Sequence, residues 1–192
     1  MTHSEVKALF ESHGHKFYDH GVYNVNLFGI RSKSTLVDQF DDVLGIAFRD
    51  DFGNGIVLEH RGTTKPGLYW LREKMGNHQG TFILAPGQYP RCWKIAEHKG
   101  YEALVQVGSP FRGWRDANKD GKLDPNGNIH RDVTGLNMHT TSFKSDVEVV
   151  GAYSAGCQVR QRADDHIVVM SILKRSAELY GNSFSYTLID AS

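Results

Sequence analysis

The sequence predicts a mainly β, α+β fold with one helix at the N-terminus and one long helix near the C-terminus. Three observations carry this. Short apolar runs rich in Val, Ile, Phe and Tyr recur through residues 21–108 and are separated by glycine-bearing turns. Only 4–14 and 163–181 combine apolar residues at helical spacing with start and stop signals. A chain of 192 residues, 40% of them hydrophobic, is long enough to bury a core without staples.

Each element follows from local pattern. In "SEVKALFESHG" Ser4 is placed to cap a helix, Val6, Leu9 and Phe10 share one side, and Gly14 ends it. "GVYNVNLFGIR" (21–31) alternates as a strand, and 43–61 reads as a hairpin folded about "DDFGNG". Strand character continues through 80–95 and 102–108. "RDANKDGKLDPNGNIHRD" (115–132) is polar and reads as a loop, after which 134–143 and 147–159 return to strand character. In 163–181 Asp164 is the expected cap and Gly181 the terminator; 184–190 is the last strand. No repeat, low-complexity tract or linker divides the chain, so one domain is expected over 1–192.

Composition excludes several classes of function. The 22 basic and 22 acidic side chains cancel, so bulk charge draws the chain neither to nucleic acid nor to an anionic membrane. Ten histidines make its charge sensitive to mild acid. No apolar run approaches the roughly 18 residues of a membrane span, so no membrane insertion is expected. The start "MTHSEVKALFESHGHKF" lacks a basic segment followed by an apolar one, which predicts no secretory signal and synthesis in the cytoplasm. Cys92 and Cys157 make no disulfide framework and have no zinc-site spacing. A monomer is expected.

The chemistry-bearing stretch is "NMHTTSFKSDVEVVGAYSAGCQVR". A cysteine nucleophile needs a base and donors for an oxyanion. Gly156, directly before Cys157, allows close backbone approach and offers its amide with that of Cys157. By themselves these residues favour an inert buried thiol beside a turn. His139 supplies the base. It lies 18 positions before Cys157, at the end of one strand where the next would bring the two side by side. Alternation sets Asn137 and His139 opposite Leu136 and Met138, so His139 can face a cleft. His130, in the polar loop, is the rival base.

The His-Thr pair followed by Ser-x-Gly-Cys resembles the L,D-transpeptidase (YkuD-like) catalytic domain, and "ILAPGQYPRCWKI" is similar to that family's TPxGxY turn. The form "GLNMH…YSAGCQV" is closer still to cysteine peptidase domains of phage lytic proteins. The resemblance covers about residues 80–175. It implies an L,D-transpeptidase-like β-sandwich or open barrel. It makes Cys157 the nucleophile, His139 its base, and the Thr140 carbonyl the group that orients the imidazole. Gly156 and Cys157 would form the oxyanion hole, Ser154 would brace the turn, and Ser154, Arg160 and Asn137 would lie at the substrate side. Two positions depart from the family: Ala155 stands where a second histidine is usual, and Val159 where an arginine is common, with Arg160 next. The implied activity is hydrolysis of bacterial peptidoglycan peptide stems by an endolysin-type enzyme, which would act on the wall after release from the cell that makes it. An L,D-transpeptidase or L,D-carboxypeptidase, and a non-catalytic wall-binding or virion domain, are the alternatives.

No cofactor is required by this chemistry. "DANKDGKLD" sets Asp116, Asn118, Asp120 and Asp124 at positions one, three, five and nine of a calcium loop. Gly127 stands at position twelve, where a glutamate is expected, so a polar turn and a weak structural calcium site both remain open. His3, His13, His15 and His20 lack zinc-site spacing. Tyr69, Trp70, Trp93 and Trp114 are expected in core packing.

Overall fold

The computed structural model describes residues 1–73, 79–125 and 127–192. Helix α1 spans His3–Ser12. Thr2, rather than Ser4, caps it: the Thr2 hydroxyl accepts the Glu5 N–H at 3.2 Å, and the Glu5 carboxylate accepts the Thr2 N–H at 2.7 Å. This reciprocal pair satisfies two otherwise orphaned donors. Val6 and Phe10 then bury against Phe28, Ala47 and Ile189.

The strands are β1 Asn26–Arg31, β2 Asp42–Arg49, β3 Gly55–Thr63, β4 Thr81–Leu84, β5 Gly87–His98, β6 Tyr101–Gln106, β7 Gly113–Asp116, β8 Met138–Thr140, β9 Gln158–Arg160 and β10 Phe184–Asp190. Helix α2 (Leu68–Arg72) lies between β3 and β4, and α3 (Ala163–Tyr180) between β9 and β10. The β2–β3 hairpin pairs from Asp42↔Gly62 to Arg49↔Gly55. Its turn is held by the Asp50 carboxylate, which accepts the N–H groups of Phe52 and Asn54 at 2.9 and 2.8 Å.

Eight strands close into a barrel in the order β1-β10-β5-β6-β8-β9-β3-β2, while β4 and β7 form a separate two-stranded sheet. The mainly β fold is as expected, and its main sheet is closed into a ring. Closure depends on two three-residue strands. β8 joins β6 at Leu104↔Met138, and β9 joins β3 at Gly62↔Arg160 and Thr63↔Val159. Closing the ring removes the edges that an open sheet would expose.

The main core gathers Leu44, Ile46, Trp93, Leu104, Met138 and Tyr186 with Val169, Met170 and Leu173 of α3, which recur at helical spacing. The cap of α3 is Arg162, with no side-chain bond; Asp164 and Asp165 sit in the first turn. Asp164 is therefore not the cap, and both carboxylates complement the positive end of the helix. Among the described residues no helix is long and apolar enough to cross a membrane.

The strands expected over 134–143 and 147–159 shrink to 138–140 and 158–160. The reason is topological. β8 and β9 are parallel, and parallel neighbours cannot be joined by a tight turn, so residues 141–157 are spent on the crossover. α2 and β7 had no sequence signal: five and four residues are too few for periodicity to register.

Candidate active site

The β8–β9 register is Met138↔Gln158, His139↔Val159 and Thr140↔Arg160. The Gln158 N–H donates to the Asn137 carbonyl at 2.9 Å, which extends the pairing back by one residue and sets Cys157 beside Asn137. Alternation then sorts the side chains. Met138 enters the core and the Gln158 amide oxygen accepts the Tyr186 hydroxyl at 2.8 Å inside the barrel. His139, Cys157 and Val159 belong to the other side, where Val159 packs with Phe40 and Val150 and half-buried Cys157 adjoins them.

The turn before the cysteine is built by two side-chain bonds. Ser154 is fully buried. Its hydroxyl accepts the Gly156 N–H at 3.2 Å and donates to the Cys157 carbonyl at 2.7 Å. Gly156 has φ +124°, and a Cβ there would lie 2.5 Å from the Phe82 carbonyl oxygen. Both the angle and the close approach require glycine.

The Gly156 amide is thus engaged by Ser154, which corrects its expected place in an oxyanion hole. Of the two expected donors, the Cys157 amide is the one that remains.

The thiol and the imidazole both rest neutral. Cys157 Sγ accepts the Asn137 N–H and donates to the Gly135 carbonyl, each at 3.5 Å. Burial pushes the thiol up, and the Asn137 N–H opposes this in part. His139 is 4% exposed, and its Nδ1 lies 2.8 Å from the Thr140 carbonyl. A carbonyl only accepts, so Nδ1 carries the proton and Nε2 keeps the lone pair. Burial pulls His139 down to about 4; the Thr140 carbonyl opposes it, while His98 and Lys99 add to it. His98 stacks on the ring with centroids 4.8 Å apart. Among the described residues the Sγ hydrogen bonds go to the 135–137 backbone rather than to the imidazole. The two groups are related by adjacent strands, and catalytic bonds of this kind commonly tighten only with substrate bound.

Cys157 and His139 each line a cavity. One, of about 210 Å³, is lined by Cys157, Ala155, Phe82, Leu136, Arg115 and Asp132, among others. The other, of about 250 Å³, is lined by His139, His98, Lys99, Tyr101 and Tyr153.

Three expected substrate contacts are corrected. Arg160 is fully buried on β9 and paired with Thr140 on the barrel-facing side, so its guanidinium does not reach the cleft. Asn137 spends its side chain on the framework: its Oδ1 accepts the Gln106 N–H at 3.0 Å and its amide nitrogen lies 3.3 Å from His98 Nδ1. Ser154 is a turn brace with no exposed surface. His130, the rival base, bridges Gly113 through the backbone and lines neither cavity.

The Asp116–Asp124 loop is cross-linked within itself. Asn118 donates to the Asp124 carboxylate at 2.9 Å, and Asp116 accepts the Asp124 N–H at 3.3 Å. Among the described residues no three His, Cys, Asp or Glu side chains are gathered to hold a metal ion. Trp93 is buried, with its indole N–H on the Leu136 carbonyl at 2.8 Å. Tyr69 is exposed and Trp70 donates to the Ala152 carbonyl at 3.0 Å, so core packing holds for Trp93 and not for Tyr69. Sequence reasoning missed His98, Tyr101, Tyr153 and Arg115, which reach the site from distant strands and the crossover.

No family model, curated protein or solved structure matches this chain.

Proposed function

We propose that this protein is a cysteine peptidase that cuts the peptide stems of bacterial peptidoglycan. The observation that carries the reading is the parallel β8–β9 pairing, which aligns His139 with Val159, two residues past Cys157. The Nδ1–Thr140 bond supports it by leaving Nε2 as a base. The substrate class comes from the resemblance of the segment around His139 and Cys157 to L,D-transpeptidase-like domains and phage lytic peptidases. The finer fold assignment to that group belongs to the same reading.

With both groups neutral at rest, proton transfer accompanies attack rather than preceding it. His139 Nε2 takes the Sγ proton as Sγ bonds to the scissile carbonyl carbon. The carbonyl π pair moves onto oxygen, where the Cys157 N–H is the available donor. Collapse breaks the C–N bond, and the imidazolium returns its proton to the leaving amine. The thioester that remains is opened by water, which His139 deprotonates in turn. His98, stacked on the imidazole, holds the ring in plane for both transfers.

The test is digestion of purified peptidoglycan in heavy-oxygen water, with mass spectrometry of the released peptides. Hydrolysis puts one heavy oxygen into each new carboxyl terminus. Release of peptides without the label, or products joined to an added amine, would assign the site to transfer. No release at all would remove the peptidase reading.

A further inference from the structure

We infer that Arg115 reads a carboxylate on the acyl-donor side of the substrate, in the cavity beside Cys157. This inference rests on the peptidase reading above and names the chemistry of its substrate.

Arg115 arrives from β7, far in sequence from the nucleophile, yet Arg115 and Cys157 line one cavity of about 210 Å³. The arginine side chain is 6% exposed. It is positioned by two contacts within the protein. Its Nη1 donates to the Gly80 carbonyl at 3.1 Å, and the guanidinium lies over the Phe82 ring, 5.5 Å from the centroid. A planar cation fixed in this way loses little freedom on binding, which favours recognition of a planar anion.

Its own anionic neighbour is a weak one. Asp132 approaches Nη2 only to 3.6 Å, too far for a hydrogen bond, and Asp132 is 57% exposed. Nε has no hydrogen-bond partner among the described residues. A buried guanidinium with an unfilled donor and a loosely held partner is unsatisfied. A substrate carboxylate entering the cavity would exchange with Asp132, which can turn to water at little cost. Phe82, Val133, Leu136 and Ala155 supply apolar wall, beside Thr134 and Gly135. The pocket therefore suits one residue that joins a short aliphatic segment to a carboxylate, held next to the carbonyl that Cys157 attacks.

The experiment compares intact peptidoglycan with peptidoglycan whose free carboxyls have been amidated by carbodiimide and ammonium. Amidation leaves peptide bonds alone and removes the anion. Wild type should release peptide roughly 10- to 100-fold more slowly from the amidated wall, the span of one charge-assisted hydrogen bond. Arg115→Gln should show the same loss on untreated wall and little further loss on amidated wall, with the deficit in KM. Arg115→Lys should recover part of the preference for untreated wall. A merely structural arginine would lower both rates together and leave their ratio unchanged. Equal wild-type rates on both walls, with Cys157→Ala inactive, would overturn this inference and leave the peptidase reading standing. Release from neither wall would overturn both.

Discussion

Acidifying the solution from pH 7 to pH 5 should destabilise this protein strongly, and two buried histidines set the size of the effect. His139 and His166 are 4% and 2% exposed, and burial pulls both down to about 4. In the unfolded chain each returns to about 6.5. Their folded values lie below the unfolded ones, so the unfolded state binds protons first as pH falls. The stabilisation is complete above pH 6.5, is lost progressively down to about 4, and loses nothing further below that. Between pH 7 and pH 5 each histidine contributes about 2 kcal/mol of this loss, so the pair contributes about 4 kcal/mol. At 192 residues that corresponds to a fall in Tm of roughly 10 °C. His60 and His98 are also lowered by burial and add to the loss, whereas Asp116, raised by burial, works against it. The assay is thermal unfolding across the pH range, for wild type and His166→Gln. Glutamine keeps a donor for the Glu102 carbonyl, which His166 Nε2 meets at 2.8 Å, but does not titrate. It should remove about half of the acid loss. A Tm that is flat between pH 7 and pH 5, or an identical loss in the variant, would refute the burial argument.

Peptide release should be level from about pH 6 to 8 and fall below about pH 5 as His139 takes a proton, with folding followed in parallel; a midpoint near 6.5 would mean that the base is solvated. Gly156→Ala should cost about 2 kcal/mol from the positive φ alone, and more from the Phe82 carbonyl, and should cut release at least tenfold; unchanged activity would show that the turn does not aim Cys157. Ser154→Ala should lower stability by about 2 kcal/mol in denaturant titrations, because it leaves the Gly156 N–H without its partner; a neutral effect would contradict the brace.

The barrel was legible in part because most of its strands announce themselves locally. The β2–β3 hairpin carried both alternation and the "DDFGNG" turn, and α3 carried apolar residues at helical spacing. Closure was not legible. It depends on β8 and β9, which are three residues each and paired at long range, so periodicity had nothing to register. The same limit divides the site. Cys157 and His139 stood out because residue type and spacing carry chemistry. The Thr140 carbonyl followed from resemblance, and the structure sets it 2.8 Å from Nδ1. Arg160 misled, because strand alternation turns it into the barrel although the resemblance set it at the substrate side. Ser154 and Gly156 share one bond, which no spacing rule announces: the amide that seemed free for an oxyanion is already held by a hydroxyl two residues earlier. Arg115 and His98 come from β7 and β5, and only the folded chain brings them to the two cavities.

The most direct test of the central claim compares three proteins on purified peptidoglycan: wild type, Cys157→Ala and His139→Gln. Each is checked for folding by its unfolding transition. Wild type should release stem peptides, Cys157→Ala none, and His139→Gln at least a hundredfold less than wild type. Release by folded Cys157→Ala at the wild-type rate would contradict the account.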